Sequence, residues 1–224
     1  MNDVAAGVAA QEVFRLGIFP ITDTIIMTWI VMAILGLFAY FATRRLADVP
    51  AGSQNYAELL IEVIGGLLKD MMGPQGRVYL PLIATLCLFV ILSNLLGIIP
   101  TLKSPTNDLN TDLGLGFMVF LVCQGSSISA RGLGGYLKSF FDPVWYVPIF
   151  FVLNVAGMLG NLISHSFRLF GNMVGGAIIM AIIFQFAPVM VPSVLSLYYD
   201  IFSGLIQGFI FFMLAIAYIM NSRG

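Results

Sequence analysis

Long apolar runs, separated by short segments rich in charge or proline, constrain this chain more than any other feature. The longest run, 145–187, contains a single formal charge, Arg168. Runs of 18 or more apolar residues are typical of transmembrane helices, because about 20 helical residues cross the hydrocarbon core of a bilayer. Charged residues make up 9% of the chain, whereas an average soluble domain has about 25%. The sequence therefore predicts an all-α membrane protein with one integral membrane domain, 1–224.

The apolar runs predict about five transmembrane helices, at 21–43, 78–100, 113–130, 145–187 and 193–221. Residues 53–72 have a different pattern, with polar and charged side chains on one side at helical spacing and aliphatic side chains on the other. This pattern is typical of an amphipathic helix that lies in the membrane interface.

The run 145–187 is too long for one perpendicular span. As one helix, the segment between Pro148 and Pro188 is about 57 Å long, whereas the hydrocarbon core is about 30 Å thick. It forms either one steeply tilted helix, paired with the last helix in a hairpin, or two spans with a turn. With one helix, seven basic residues lie inside and two outside, as the positive-inside rule requires. This topology places the N-terminus outside and the C-terminus in the cytoplasm. Splitting the run into two spans would move one of the seven inside basic residues to the outside, so the charge rule alone does not exclude it.

Several function classes find no support in the sequence. There is no phosphate-binding loop, zinc-ligand spacing or nucleophile motif, and we expect no cofactor and no metal. The net charge of −1 provides no basic field for nucleic acid. Cys87 and Cys123 lie in apolar runs, and we interpret them as small packing residues.

Arg168 is the residue that points most directly to a function. It lies near the middle of its run, where an arginine costs about 2.5–3.5 kcal/mol on insertion scales. The guanidinium cannot avoid this cost by deprotonation, because arginine stays charged in proteins. A charge at this depth marks an ion pathway by default, with a structural ion pair as the alternative.

Polar residues around Arg168 recur at spacings of three, four and seven and form one stripe: Asn154, Asn161, Ser164, His165, Arg168 and Asn172. The last helix carries a second stripe: Ser196, Asp200, Ser203 and Gln207. Such stripes face protein or water rather than lipid. His165 is either a buried packing residue or a proton carrier.

An antiparallel hairpin of these two helices would bring Gln207 to the level of Arg168, with Asp200 between Arg168 and the outer surface. This arrangement suggests a half-passage for ions from outside, with Asp200 as a relay; an Asp200–Arg168 salt bridge is the structural alternative. Asp108 and Asp112 lie in the polar segment 101–112 and form either a solvated turn or the mouth of the passage.

The run Ser166-Phe-Arg-Leu-Phe-Gly-Asn-Met173 resembles the signature of subunit a of the F-type ATP synthase. Four further segments resemble this family in order and spacing: Leu92–Pro100, Pro105–Asn110, Arg131–Tyr136 and Leu205–Phe211. The resemblance covers about 29–221 and centres on the one charge of the long apolar run.

The chain departs from the family pattern at several positions. Many members carry Glu fourteen residues before the arginine, where this chain has Asn154, and a basic residue and proline where it has Asn161 and Leu162. Some carry Glu nine residues after the arginine, here Ala177, and a His on the last helix, here Asp200. Members often keep an ionisable group at one of the last two positions, and Asp200 fills that role.

The resemblance implies an ion-translocating stator subunit of the F0 sector in a bacterial inner membrane, with no nucleotide site of its own. Its implied partners are the c-subunit ring, the b-subunit peripheral stalk, the lipid bilayer and, indirectly, the F1 sector. Ions would enter past Asp108 and Asp200 and neutralise ring carboxylates, while Arg168, oriented by Gln207, prevents a direct leak. Whether the ion is H⁺ or Na⁺ is left open. An independent secondary transporter and a structural scaffold are the alternatives.

Overall fold

The computed structural model describes residues 12–16, 19–44, 52–97, 104–141, 148–186 and 201–223. Six α-helices lie in these ranges: α1 (Asp23–Thr43), α2 (Ser53–Met72), α3 (Leu80–Leu96), α4 (Leu109–Ser139), α5 (Pro148–Phe186) and α6 (Gly204–Arg223). Two 3-10 helices, Gly73–Val78 and Pro105–Asn107, precede α3 and α4.

Four of these helices, α1, α4, α5 and α6, are long and apolar enough to cross a membrane. The segments Ser53–Val78 and Leu80–Leu96 form a pair bent by 119°, which gives a fifth candidate if the pair counts as one span. The all-α membrane class is therefore confirmed, and the predicted amphipathic helix is present as α2.

A short β-hairpin precedes α1. Strand β1 (Glu12–Leu16) pairs antiparallel with β2 (Phe19–Thr22). On β1, Arg15 donates hydrogen bonds of 2.7 and 3.0 Å to Glu12. These hydrogen bonds lower the pKa of the Glu12 carboxyl, with a smaller contribution from the positive charge of Arg15.

Helix α4 is longer than the apolar run that it contains. It starts directly after Asp108, whose side chain accepts a hydrogen bond from the Asn110 backbone N–H as an N-cap. It continues through 131–136, which the sequence suggests is a loop. The break there is confined to Gly132, with φ of 71° and ψ of 166°. With no proline between Pro105 and Pro143, the chain resumes its helix after this one residue.

The core lies between α3, α4 and α6. Phe211, Phe212 and Ile216 on α6 are fully buried against Cys87 and Val90 on α3 and their neighbours. Glycines let α3 and α6 approach closely, since a Cβ on Gly204 would lie 2.9 Å from Asn94 Cβ and one on Gly208 would collide with Ile91. Small residues at helix contacts have this effect in membrane proteins generally.

Helix α5 is one helix of 39 residues, which agrees with the long-helix alternative. At 1.5 Å per residue it extends about 58 Å, nearly twice the hydrocarbon thickness of about 30 Å. Helix α5 is antiparallel to both α4 and α6. Near the start of α5, Asn154 hydrogen-bonds to Phe140 O at the end of α4. Further along α5, Asn172 hydrogen-bonds to Ser203, directly before the start of α6.

Candidate functional site

Arg168 lies on an exposed part of α5. Its neighbours Phe167 and Ile163 are each 51% exposed, so the rest of the described chain leaves this face uncovered. The one salt bridge among the described residues joins Glu12 to Arg15, and Arg168 therefore has no acidic partner within them. Asp200, the predicted relay, lies outside the described residues.

His165 lies one turn before Arg168 and points into the bundle, where it is 2% exposed. Its ring contacts Phe211 at a centroid distance of 4.0 Å and Tyr218 at 5.6 Å. Neither ring nitrogen has a hydrogen-bond partner in the described part of the chain. Burying such nitrogens without partners is unfavourable, so this site is suited to a water molecule that would hydrogen-bond to them.

A cavity of about 320 Å³ connects His165 with the end of the bundle that carries Arg131, the Arg131 end. Its polar lining residues are Gln124, Ser127, Arg131, Tyr136, Ser139, Asn154, Asn161, His165, Tyr218, Asn221 and Ser222. From Asn154 to His165 the cavity extends about 16 Å along α5, at 1.5 Å per residue. It forms a polar recess that ends about one turn from Arg168.

A second polar region, which we call the outer network, lies at the opposite end of the bundle, the Asp108 end. Asn94 on α3 donates to Gly204 O at 3.3 Å and accepts from Thr106 Oγ1 at 2.8 Å. Ser104 Oγ lies 2.7 Å from Thr106 Oγ1 and donates to Ser93 O. All four side chains are fully buried, so polar groups extend from this end into the interior of the bundle.

Asp108 lies at the edge of the outer network and is 9% exposed. Its carboxylate accepts hydrogen bonds from Thr24 Oγ1 at 2.8 Å, from the Asn110 backbone N–H at 3.0 Å and from Asn110 Nδ2 at 3.1 Å. Asp108 is therefore the N-cap of α4 and a buried hydrogen-bond acceptor of the outer network, rather than part of a solvated turn.

Asn172 and Gln207 extend the polar surfaces to the level of Arg168. Asn172 Oδ1 accepts a hydrogen bond of 3.0 Å from Ser203, which joins α5 to α6. Gln207 lies one turn after Ser203, which bonds to Asn172, and one turn before Phe211, which contacts His165. Since Arg168 lies between His165 and Asn172 on α5, Gln207 is at the height of Arg168. It is 6% exposed and its Nε2 has no hydrogen-bond partner within the described residues.

The hydrogen bond that the resemblance implies between Gln207 and Arg168 is not present in the described part of the chain. Gln207 points into the bundle, whereas Arg168 lies about 60° round α5 from the inward-facing His165, at 100° per residue. Two other predicted residues of the stripe, Asn161 and Ser164, are exposed, and Asn161 lines the cavity.

Several polar residues of these regions were not recognised from the sequence as parts of a site. Thr24, Asn94 and Tyr136 come from three helices far apart in the chain. The one signal available for Asn94 is that an amide inside an apolar run needs a partner. Contacts between distant segments, which decide that partner, are not visible in the sequence.

Two polar regions thus enter the bundle from opposite ends, and Arg168 lies between them in height. By helical rise it is about 4.5 Å from the level of His165 and about 6 Å from that of Asn172. Such an arrangement can carry ions part of the way from each side, with a fixed positive charge where the two paths end.

Comparison with known proteins identifies the family. The family model described as ATP synthase A chain matches residues 25–220. The chain belongs to this family. ATP synthase subunit a of Moorella thermoacetica is 40% identical over 210 residues, which cover 94% of each chain. ATP synthase subunit a 2 of Syntrophotalea carbinolica is 41% identical over 217 residues, 96% of this chain and 91% of the relative. ATP synthase subunit a of Geobacter sulfurreducens is 39% identical over 201 residues, 89% and 87% of the two chains.

Membership of the ATP synthase A chain family makes this chain a membrane component of the F0 sector. The family supports a role in ATP synthesis and ion transport, and the apolar helices agree with a position in the membrane. The matched range contains α1 to α6 except for the first two residues of α1 and the last three of α6.

Proposed function

We propose that the chain is the ion-translocating stator subunit of F0, with two offset half-channels that pass ions to and from the carboxylates of a c-subunit ring. The observation that carries this proposal is the placement of the outer network and the cavity at opposite ends of the bundle, with Arg168 between their inner limits. A single continuous channel would require the two regions to meet, and Arg168 occupies the level where they would do so.

The exposed face around Arg168 supports a partner at this position. A guanidinium in the middle of a membrane has to face protein or water, because facing lipid is too costly. Phe167 and Ile163, both exposed, make the adjoining exposed side of α5 apolar, as a surface that packs against membrane helices would be. We propose that the c-ring covers it, so that the carboxylates of the ring pass Arg168 one after another.

In this mechanism, ions enter from outside along the outer network, past Asp108, Asn172 and Asp200, and neutralise a ring carboxylate. After a rotation of the ring, the ion leaves through the cavity, past His165, Asn161 and Ser164. Arg168 attracts each emptied carboxylate and repels cations, which prevents a direct leak. Gln207 provides a polar side chain at the same level. Each charge that crosses 100 mV releases about 2.3 kcal/mol, so several ions are coupled to one ATP.

We further propose that the N-terminus lies outside and the C-terminus in the cytoplasm of a bacterial inner membrane. The cavity then opens to the cytoplasm, at the end that carries Arg131, Lys138 and Arg223. The b-subunit stalk would hold the chain against the torque of the ring, and F1 would couple to it indirectly.

The test is ATP-driven ion uptake by membrane vesicles that contain Arg168→Ala in the assembled complex. We expect assembly to be retained and uptake to be lost. Arg77→Ala, which removes an exposed arginine outside both polar regions, is the matched control and should leave uptake unchanged. Persistent uptake in Arg168→Ala would refute the assignment, and ion flux through the purified chain without a c-ring would favour an independent transporter.

A further inference from the structure

Asp112 is an acidic residue that the mechanism above does not use. It lies in α4 one turn after Asp108, and its backbone N–H donates to Asp108 O at 3.2 Å. Its side chain is fully buried, with 0% exposure. Neither carboxyl oxygen has a hydrogen-bond partner among the described residues. The contrast with Asp108, which accepts three hydrogen bonds, shows that the two carboxyls occupy different environments.

The depth of Asp112 follows from the packing of α4 against α5. One turn further along α4, a Cβ on Gly116 would collide with Ser166 Oγ of α5. Because the two helices are antiparallel, Asp112 lies at the height of Phe170. That height is about 3 Å from the level of Arg168, at 1.5 Å per residue. Asp112 therefore lies deep in the membrane, inside the bundle, while Arg168 is on the exposed side of α5.

The charged and titratable groups on the helices that pack against α4 do not neutralise Asp112. Helix α5 contributes His165 and Arg168, and Asp108 directly precedes α4. Tyr218 and Arg223 of α6 lie towards the Arg131 end of the bundle, far from the level of Asp112. None of them forms a salt bridge or hydrogen bond with Asp112 in the described part of the chain. An isolated carboxylate in an apolar interior is strongly unfavourable, whereas a protonated carboxyl is neutral and costs far less.

We propose that Asp112 is a proton-binding site inside the outer half-channel, one step deeper than Asp108. This proposal rests on the proposed function and deepens it, since it identifies the ion at this step as a proton. Asp108 receives a proton from outside water, and the O–H bond then breaks as an O–H bond forms on Asp112. Asp108 and Asp112 are one helical turn apart, about 6 Å along the axis of α4, a spacing at which one water molecule can link two carboxyls. The O–H bond on Asp112 breaks in turn when a ring carboxylate accepts the proton.

The first measurement is the infrared difference spectrum of the purified complex between neutral and alkaline pH. A protonated carboxyl in an apolar site has a C=O stretching band that a carboxylate lacks. We expect Asp112→Asn to lose one such band, and Asp112→Glu to restore a shifted one. An unchanged band pattern in Asp112→Asn would overturn the proposal, because the carboxyl would then hold no proton.

The second measurement is passive proton flux through vesicles stripped of F1, driven by a potassium diffusion potential over a range of external pH. Asp112→Asn should reduce the flux on the order of 100-fold, within the range that a positioned proton-transfer group contributes, and alter its pH profile. Asp112→Glu should recover most of it, and Asp70→Asn, an exposed acid on α2, should match wild type. Normal flux and pH profile in Asp112→Asn, or flux that follows Na⁺ instead of pH, would overturn the proposal.

Failure of this inference is distinguishable from failure of the proposed function. If Arg168→Ala abolishes uptake while Asp112→Asn has normal flux, the half-channel assignment stands and the Asp112 site is wrong. If Arg168→Ala retains uptake, the proposed function is wrong whatever the infrared band shows. If Asp112→Asn does not assemble, Asp112→Glu still decides, because a purely structural role would not move the pH profile of its flux.

Discussion

Replacing Gly204 with alanine tests the closest approach of α3 and α6. The new Cβ would lie 2.9 Å from Asn94 Cβ, which is fixed to the α3 backbone and cannot rotate away. The helices would have to separate, and the 3.3 Å hydrogen bond from Asn94 Nδ2 to Gly204 O would lengthen. Since Asn94 also accepts from Thr106, the strain would extend into the outer network.

Three contributions set the expected magnitude. Overpacking costs about 1–3 kcal/mol and loss of the hydrogen bond about 1 kcal/mol, while alanine favours the helix over glycine by about 1 kcal/mol. Gly204→Ala should therefore lower the free energy of unfolding by about 1–3 kcal/mol. Gly36→Ala in α1 is the matched control, because nothing lies within 4 Å of its Cβ, and it should stabilise the chain by up to about 1 kcal/mol.

The assay is unfolding of the purified chain in mixed micelles, followed by circular dichroism as the fraction of dodecyl sulfate rises. The two variants should shift the midpoint in opposite directions. If Gly204→Ala unfolds at the same detergent fraction as wild type or later, the packing of α3 against α6 at Asn94 is wrong. If both variants destabilise equally, the effect belongs to glycine itself rather than to the contact.

Two further predictions concern the two proposed half-channels. Thr24→Val removes the 2.8 Å hydrogen bond to Asp108, and we expect a loss of about 1.5–3 kcal/mol in micelles and slower ATP-driven uptake in vesicles. Thr28→Val, which loses only a hydrogen bond to its own helix, should have neither effect on this scale, and equal losses would show that the hydrogen bond from Thr24 to Asp108 makes no particular contribution. His165→Phe keeps a ring against Phe211 but removes two buried nitrogens without partners, so the chain should be at least as stable in micelles while ion release slows. A clear loss of stability would show that the imidazole has a structural partner.

Much of the fold could be predicted from the sequence because the membrane restricts the choices. Apolar length and the exclusion of bare backbone from lipid predict helices, and the stripe around Arg168 follows from their period. The amphipathic pattern of α2 is equally local. The identity of the family follows from a motif that surrounds the single formal charge of the long apolar run, Arg168.

The remaining features depend on contacts between distant segments. The β-hairpin lacks a clear alternating pattern, since Val13 and Phe14 are adjacent and both exposed. Asp112 reads as part of a polar loop, although Asp108 before an apolar run is an N-cap signal that would have placed it in α4. The cavity combines residues from the ends of α4, α5 and α6, and no local pattern records that combination.

The continuity of α5 has a consequence for how the two proposed half-channels are aligned. Asn161 at the cavity and Asn172 near the outer network lie on the same unbroken helix, so their relative orientation is fixed by helical phase alone. Each added or deleted residue between them would rotate one against the other by about 100°, at 3.6 residues per turn. In the proposed mechanism, the offset between the half-channels would therefore be set by the number of residues in one continuous helix, rather than by a loop or hinge.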